Sequence, residues 1–168
     1  MTEESTKPLP CFAVDASFMA AYLLNGYCDN ELADCVKDVE YILTSNGQFY
    51  VPPLFWYEIE NVLLCKTRKG GKVKTSLSKS DAMDILYDLQ KLPICTDVQT
   101  DGEIRQRIFA LAVEYGLSYY DASYLELSRR YGIALKTYDA DLQRAIQLLH
   151  KLQGKGAGNS DVQNTLAA

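Results

Sequence analysis

Residues 12–24, FAVDASFMAAYLL, join two kinds of local pattern that decide the fold class of this chain. The first three residues form a short apolar run that is typical of a buried strand, and Asp15 ends it. Residues 16–24 have the composition of a helix, which Asn25 and Gly26 are expected to stop. A strand that leads through one acidic residue into a helix is the building unit of a parallel α/β sheet.

The same unit recurs near the end of the chain, in residues 133–142, IALKTYDADL. Residues 133–137 favour a strand, Asp139 follows it by two residues, and a helix is predicted over residues 141–152. Between the two units we predict, in chain order, a helix over 32–43, a strand over 48–51, a helix opened by Pro52, a helix over 81–92, a strand at 94–95 and helices that end at Gly116 and Gly132. This alternation predicts an α/β fold with a short, mainly parallel central sheet.

Length and composition indicate one globular domain. The chain has 168 residues, of which 48% are hydrophobic and 23% are charged. We assign residues 11–152 to the domain, residues 1–10 to a polar extension, and residues 153–168 to a disordered tail, because the tail is rich in Gly, Ser, Asn and Gln. No apolar run approaches the ~20 residues of a membrane span, and the N-terminus does not resemble a signal peptide. We therefore expect a cytoplasmic protein without a membrane segment.

Charge, histidine and cysteine content restrict the chemistry. A net charge of −5 argues against a broad basic surface that coats nucleic acid, but it is compatible with a nuclease whose site consists of carboxylates. One histidine, His150, cannot supply the pair of acid–base groups that metal-independent ribonucleases commonly use. The five cysteines show no zinc-ligand spacing and are expected to be reduced core residues.

Four acids carry the functional prediction. Asp15 and Asp139 follow strands, and the carboxyl ends of parallel strands are where ligands bind in such sheets. Glu58 falls on the apolar face of its helix, and Asp121 begins another helix. Taken singly, each acid has a plainer interpretation: an N-cap for Asp15 or Asp121, a salt-bridged side chain for Glu58, and a turn residue for Asp139.

Taken together, the four acids predict a metal site, because clustered carboxylates are costly unless a cation joins them. Carboxylate oxygens are hard ligands that suit Mg²⁺ or Mn²⁺. Glu60 is the rival of Glu58 for its position, and Asp141 is a candidate additional acid. Three polar residues are candidate hydrogen-bond partners of the acids: Ser17, Asn61 and Thr137.

Four segments, in order, resemble the four motifs of the PIN-domain family. They are residues 14–17 (VDAS), 51–63 (VPPLFWYEIENVL), 117–127 (LSYYDASYLEL) and 135–142 (LKTYDADL). The resemblance implies an α/β/α sandwich that binds a divalent metal through Asp15, Glu58, Asp121 and Asp139 and that cleaves RNA. A compact chain of this kind is most similar to VapC-type toxins, which implies a cognate antitoxin and a homodimer.

The predicted chemistry is hydrolysis by a metal-activated water that attacks the phosphate in line. Since the 2′-hydroxyl takes no part, the products should carry 5′-phosphate and 3′-hydroxyl ends. Three alternatives remain open: a catalytically silent PIN-fold scaffold, a housekeeping RNA-processing nuclease, and a metal-dependent DNA nuclease that acts on flaps or ends.

A basic segment follows the helix that carries Glu58. We interpret it either as a solvated loop or as a contact for the RNA backbone beside the site. Its cationic residues are Lys66, Arg68, Lys69, Lys72, Lys74 and Lys79.

Overall fold

The computed structural model describes residues 8–25, 33–68 and 77–156. Short strands alternate with helices along these residues. In chain order the elements are β1 (Cys11–Val14), α1 (Ala16–Leu23), α2 (Ala33–Thr44), β2 (Gln48–Val51), α3 (Leu54–Thr67), α4 (Lys79–Leu89), β3 (Ile94–Thr96), α5 (Gly102–Tyr115), α6 (Tyr119–Tyr131), β4 (Ala134–Lys136) and α7 (Ala140–Gly156).

The strands form one four-stranded sheet in the order β3-β2-β1-β4, and every neighbouring pair is parallel. Ala13 of β1 pairs with Tyr50 of β2 on one side and with Leu135 of β4 on the other. The carboxyl ends of all four strands therefore lie along one edge of the sheet. The predicted α/β class with a parallel sheet is confirmed.

Helices cover the sheet in two groups, each with its own apolar cluster. One cluster joins residues of α1, α2, α3 and α4 to the strands, with Phe49 and Phe55 among its fully buried side chains. The other joins α5, α6 and α7 through side chains such as Ile108, Leu125 and Leu142. Burial of these apolar side chains on both sides of the sheet is the main stabilising contribution to the layered fold, and it confirms the predicted α/β/α sandwich.

The turn between α2 and β2 requires a glycine. Gly47 lies so close to the chain before β1 that a Cβ atom there would stand 2.3 Å from the carbonyl oxygen of Pro10. Pro10 then accepts a 3.1 Å hydrogen bond from the backbone N–H of Gln48, which begins the pairing of β1 with β2. The close approach at Gly47 thus brings together the first two strands of the sheet.

Two expectations need correction. Helix α7 continues to Gly156, past the predicted end at residue 152. Gly154 does not stop it, because a glycine inside a helix costs only about 1 kcal/mol. Residues 157–168 lie outside the described part. Of the described cysteines only Cys35 is buried, whereas Cys65 and Cys95 are exposed, because they fall on the outward positions of α3 and β3. No helix among the described residues has the length and apolar character needed to cross a membrane.

Candidate active site

The carboxyl ends of β1 and β4 bring Asp15 beside the segment that carries Asp139. The backbone N–H of Asp15 donates to the carbonyl oxygen of Lys136 at 3.2 Å, so the pairing of the two strands extends to this acid. Asp15 is only 5% exposed and is also the N-cap of α1, where its Oδ1 accepts the backbone N–H of Phe18 at 2.9 Å. The capping interpretation of Asp15 is thus correct, and it coexists with a place at the predicted ligand-binding edge.

Two hydroxyl groups hold the buried Asp15 carboxylate. Ser17 Oγ donates to its oxygens at 2.7 and 2.9 Å, and Thr137 Oγ1 donates to Oδ2 at 2.6 Å. The same hydroxyls accept backbone N–H groups from the other loop: Tyr138 donates to Ser17 and Asp139 donates to Thr137, each at 2.9 Å. Ser17 and Thr137, which the sequence singled out as hydrogen-bond partners, therefore connect the loops that carry Asp15 and Asp139.

Asp139 lies at the start of α7. Its Oδ1 accepts the backbone N–H groups of Asp141 and Leu142, both at 2.9 Å, which satisfies two donors at the helix N-terminus. Asp141 is exposed and forms an ion pair with Arg144 at 2.7 Å. The structure thus engages the Asp141 carboxylate with Arg144 and shows no interaction of it with the other acids among the described residues.

Asp121 occupies the first turn of α6 but is not its N-cap. Ser118 is the N-cap, and its hydroxyl accepts the backbone N–H of Asp121 at 3.0 Å and donates to Asp121 Oδ2 at 2.6 Å. The capping interpretation of Asp121 is wrong, because the serine three residues earlier fills that role.

Glu58 is half-buried on α3 and meets α6 through a tyrosine. The hydroxyl of Tyr124, one turn after Asp121, donates a short hydrogen bond to Glu58 Oε2. Sequence reasoning did not select Tyr124 as a site residue. The available signal was its three-residue spacing from Asp121, which places both side chains on one side of a helix. Asn61, one turn after Glu58, is exposed and makes no described hydrogen bond to the acids.

The four acids influence one another electrostatically. Burial raises the pKa of the Asp15 carboxyl; hydrogen bonds from Thr137, Phe18 and Ser17 oppose this increase, and the charge of Asp139 adds to it. Burial also raises the pKa of Glu58; the hydrogen bond from Tyr124 opposes it, and the charges of Asp121 and Asp15 add to it. Asp15 interacts with both Asp139 and Glu58, and Glu58 interacts with Asp121, so the four predicted residues form one electrostatically connected set.

Comparison with known proteins assigns the family. The sequence model described as the PIN domain matches residues 12–147. The chain belongs to the PIN-domain family.

Individual relatives agree with this assignment. Ribonuclease VapC3 of Pyrobaculum aerophilum is 29% identical over 129 residues, which cover 77% of this chain and 89% of that protein. Among solved structures, PAE2754 of the same organism superposes with a TM-score of 0.52 at 21% identity, covering 87% of this chain and 97% of that one. VapC20 of Mycobacterium tuberculosis, described as a toxin that cleaves the sarcin–ricin loop, superposes with a TM-score of 0.56 at 16% identity and covers 80% of this chain and 94% of its own.

The four predicted site acids of this PIN domain form no salt bridge in the part of the chain that the structure describes. Among the described residues no lysine or arginine forms an ion pair with Asp15, Glu58, Asp121 or Asp139. Within the same residues no group of three or more His, Cys, Asp or Glu side chains is arranged, as it stands, to hold a metal ion. Both oxygens of Asp15 accept hydrogen bonds, whereas the other three acids each engage one oxygen.

The donor chemistry nevertheless fits a divalent ion. Within the described chain, Oε1 of Glu58, Oδ1 of Asp121 and Oδ2 of Asp139 accept no hydrogen bond, because the partner oxygen of each carboxylate takes the donor. These are hard, negatively charged oxygens of the kind that Mg²⁺ and Mn²⁺ prefer.

The basic segment is only partly described. Lys66 is half-buried in the last turn of α3, and Arg68 and Lys79 are exposed. Lys69, Lys72 and Lys74 lie outside the described residues. Its role at the site stays a prediction.

Proposed function

We propose that this PIN domain is a divalent-metal-dependent endoribonuclease. The observation that carries the proposal is a set of four acids of which none forms a described ion pair with lysine or arginine. The charge of Asp139 adds to the raised pKa of Asp15, and the charges of Asp121 and Asp15 add to the raised pKa of Glu58. Similarity to ribonuclease VapC3 supports RNA as the substrate.

In this proposal Asp15, Glu58, Asp121 and Asp139 hold Mg²⁺ or Mn²⁺. When bound, such an ion polarises the scissile phosphate and lowers the pKa of a water molecule that attacks it. The remaining residues orient the acids. Ser17 and Thr137 fix the Asp15 carboxylate by hydrogen bonds, and the N-terminus of α7 fixes Asp139 through two backbone N–H groups.

We further propose that the chain is the toxin of a toxin–antitoxin pair. The order of the four motifs and the similarity to VapC3 support this assignment. A ribonuclease of this kind has to be silenced in the cytoplasm, and an antitoxin whose tail inserts a basic side chain among the acids would do so by supplying the missing positive charge. A homodimer is the expected assembly of the toxin.

The proposal is tested with purified protein and a structured RNA. Mg²⁺ or Mn²⁺ should support endonucleolytic cleavage with 5′-phosphate products, and EDTA should abolish it. Asp15→Asn should remain folded, since asparagine also caps helices, but should lose activity by a factor of roughly 10² or more. Glu60→Gln is the matched control, because Glu60 is an exposed acid on the same helix as Glu58. Cleavage by Asp15→Asn at the wild-type rate would show that the site is wrongly assigned.

A further inference from the structure

The hydroxyl of a buried tyrosine contacts one of the four acids, Glu58. Tyr124 is only 1% exposed, and its hydroxyl donates to Oε2 of Glu58. A phenol is protonated at neutral pH, so Tyr124 is the donor in this bond and the Glu58 carboxylate is the acceptor.

A network of charged side chains fixes the helix that carries Tyr124. Glu126, two residues further along α6, is 2% exposed and accepts from Arg107 at 3.1 Å and from Arg130 at 3.0 Å. Arg130 also pairs with Asp97, which follows strand β3. Gln99 Nε2 also donates a 2.9 Å hydrogen bond to the backbone carbonyl oxygen of Ser123 in α6. These bonds anchor α6 to α5 and to the segment after β3, so the part of the helix that carries Tyr124 is held on both sides.

Glu58, in contrast, has a long side chain on the facing helix α3. A glutamate has several rotatable bonds, and ordering it on ion binding costs conformational entropy. The bond from Tyr124 orders this side chain in advance. It engages Oε2 and leaves Oε1 without a described hydrogen bond.

We propose that Tyr124 is a positioning residue for the metal site, because it holds Oε2 of Glu58 and presents Oε1 to the divalent ion. The inference rests on the proposed metal-dependent function. The bond to Tyr124 is retained when the ion binds, so the tyrosine acts as an outer partner that orients a ligand. Loss of such partners typically weakens metal binding about 10- to 100-fold.

The test compares two tyrosine-to-phenylalanine variants of one helix. Tyr124→Phe removes only the hydroxyl from the site. Tyr131→Phe removes a hydroxyl of the same helix that donates to another carboxylate, Asp97, at 3.1 Å. Mn²⁺ affinity is measured by calorimetry, and RNA cleavage by steady-state kinetics. Tyr124→Phe should bind Mn²⁺ about 10-fold more weakly and lower kcat with little change in KM for RNA. Tyr131→Phe should match wild type in both.

A double-mutant cycle separates this role from a packing role. In a Glu58→Ala background Tyr124→Phe should have no further effect on Mn²⁺ affinity, because the carboxylate it positions is gone. An undiminished effect in that background, or Mn²⁺ affinity in Tyr124→Phe that equals or exceeds that of wild type, overturns the inference.

A measurement on the wild-type protein makes the test independent of how the variants fold. With ¹³C-labelled tyrosine, the hydroxyl proton of Tyr124 should give a protected NMR signal that persists when diamagnetic Mg²⁺ is added. Loss of that signal on Mg²⁺ binding contradicts the retained bond. The two proposals fail differently: a wild type that neither binds Mn²⁺ nor cleaves RNA removes the proposed function and the inference with it, whereas an active wild type with an unaffected Tyr124→Phe removes only the inference.

Discussion

Thr137 Oγ1 donates a 2.6 Å hydrogen bond to Oδ2 of Asp15 and so ties the end of strand β4 to the end of strand β1. The sheet register makes this contact possible, because Val14 pairs with Lys136, the residues immediately before the two partners. The same hydroxyl accepts the backbone N–H of Asp139 at 2.9 Å. One side chain therefore fixes the carboxylate of one acid and the backbone of another.

Replacing Thr137 by valine should lower both stability and activity. The variant keeps the shape of the side chain but removes the donor to Asp15 and the acceptor for Asp139. Loss of these partly buried hydrogen bonds should cost about 2 kcal/mol of unfolding free energy, measured by urea denaturation. RNA cleavage should fall by at least about 10-fold, because the Asp15 carboxylate loses one of the two hydroxyls that orient it. Thr137→Ser retains the hydroxyl and should behave like wild type; equal losses in both variants would contradict the assignment.

Glu58→Gln should stabilise the metal-free protein at neutral pH. The raised pKa of Glu58 means that the folded state keeps this proton longer than the unfolded chain, whose glutamate pKa is about 4.3. The stability that Glu58 contributes to the folded state is fully present below the unfolded pKa and is lost as the pH rises through the folded pKa. In EDTA, the variant should therefore match wild type near pH 4 and be more stable at pH 7. Glutamine still accepts from Tyr124, so the change isolates the charge.

Thermal melts across this pH range provide the measurement. The control is Glu60→Gln, which removes a charge from an exposed position of the same helix. The prediction concerns the difference in Tm between Glu58→Gln and wild type. If this difference stays constant with pH, or equals the difference for Glu60→Gln, the charge of Glu58 does not destabilise the folded state.

Local sequence signals predicted most of the elements because the deciding interactions are themselves local. The predicted stops at Gly116 and Gly132 are confirmed: both residues adopt the left-handed conformation, at φ values of 65° and 64°. Helix α4 begins two residues before the predicted start. The cause was present in the sequence as a Ser78–Asp81 capping box, which places the helix start at Lys79.

The site was less predictable wherever it depends on packing between distant segments. That Asp15 and Asp139 follow strands could be inferred from local patterns, and their proximity followed once the sheet was parallel. The contact between Tyr124 and Glu58 depends on how α6 packs relative to α3, which no local pattern specifies. The ion pair that draws Asp141 toward Arg144 is local, but competing rotamers of an exposed aspartate cannot be ranked from sequence.

The basic segment after α3 should strengthen RNA binding. In an inactive Asp15→Asn background, replacing Lys69 and Lys72 by glutamine should weaken RNA affinity. If both lysines contact phosphates, the double replacement should also reduce the slope of log affinity against log salt concentration by about 1.4. Each neutralised phosphate of a single strand contributes about 0.7 to that slope. The matched control replaces Lys37 and Lys91, which pair with Asp34 and Asp88. A salt slope unchanged from the parent would leave this segment as a solvated loop.

Expression of the chain alone should slow growth. The proposed toxin cleaves cellular RNA, and Asp121→Asn should relieve the effect by removing one of the acids at the site. Growth curves with matched protein levels provide the measurement, and Asp101→Asn is the control, because Asp101 caps a different helix. Normal growth with wild-type protein that is active in vitro would favour a housekeeping RNA-processing role.

Divalent metal should stabilise the folded protein, and the effect should grow with pH. The acids repel one another when ionised, and an ion that binds only the folded state removes this repulsion. At a concentration of about 100 times its Kd, one ion adds roughly 2.7 kcal/mol to the unfolding free energy, which corresponds to a rise of several degrees in Tm.

Because the pKa values of Asp15 and Glu58 are raised, protons compete with the ion at low pH. The Tm shift caused by millimolar Mn²⁺ should therefore be small near pH 4 and large at pH 7. Asp139→Asn should reduce the shift at pH 7, whereas Asp141→Asn should preserve it, since the exposed Asp141 carboxylate already pairs with Arg144. An absent Tm shift in wild type at pH 7 would exclude a shared metal site and favour a catalytically silent scaffold.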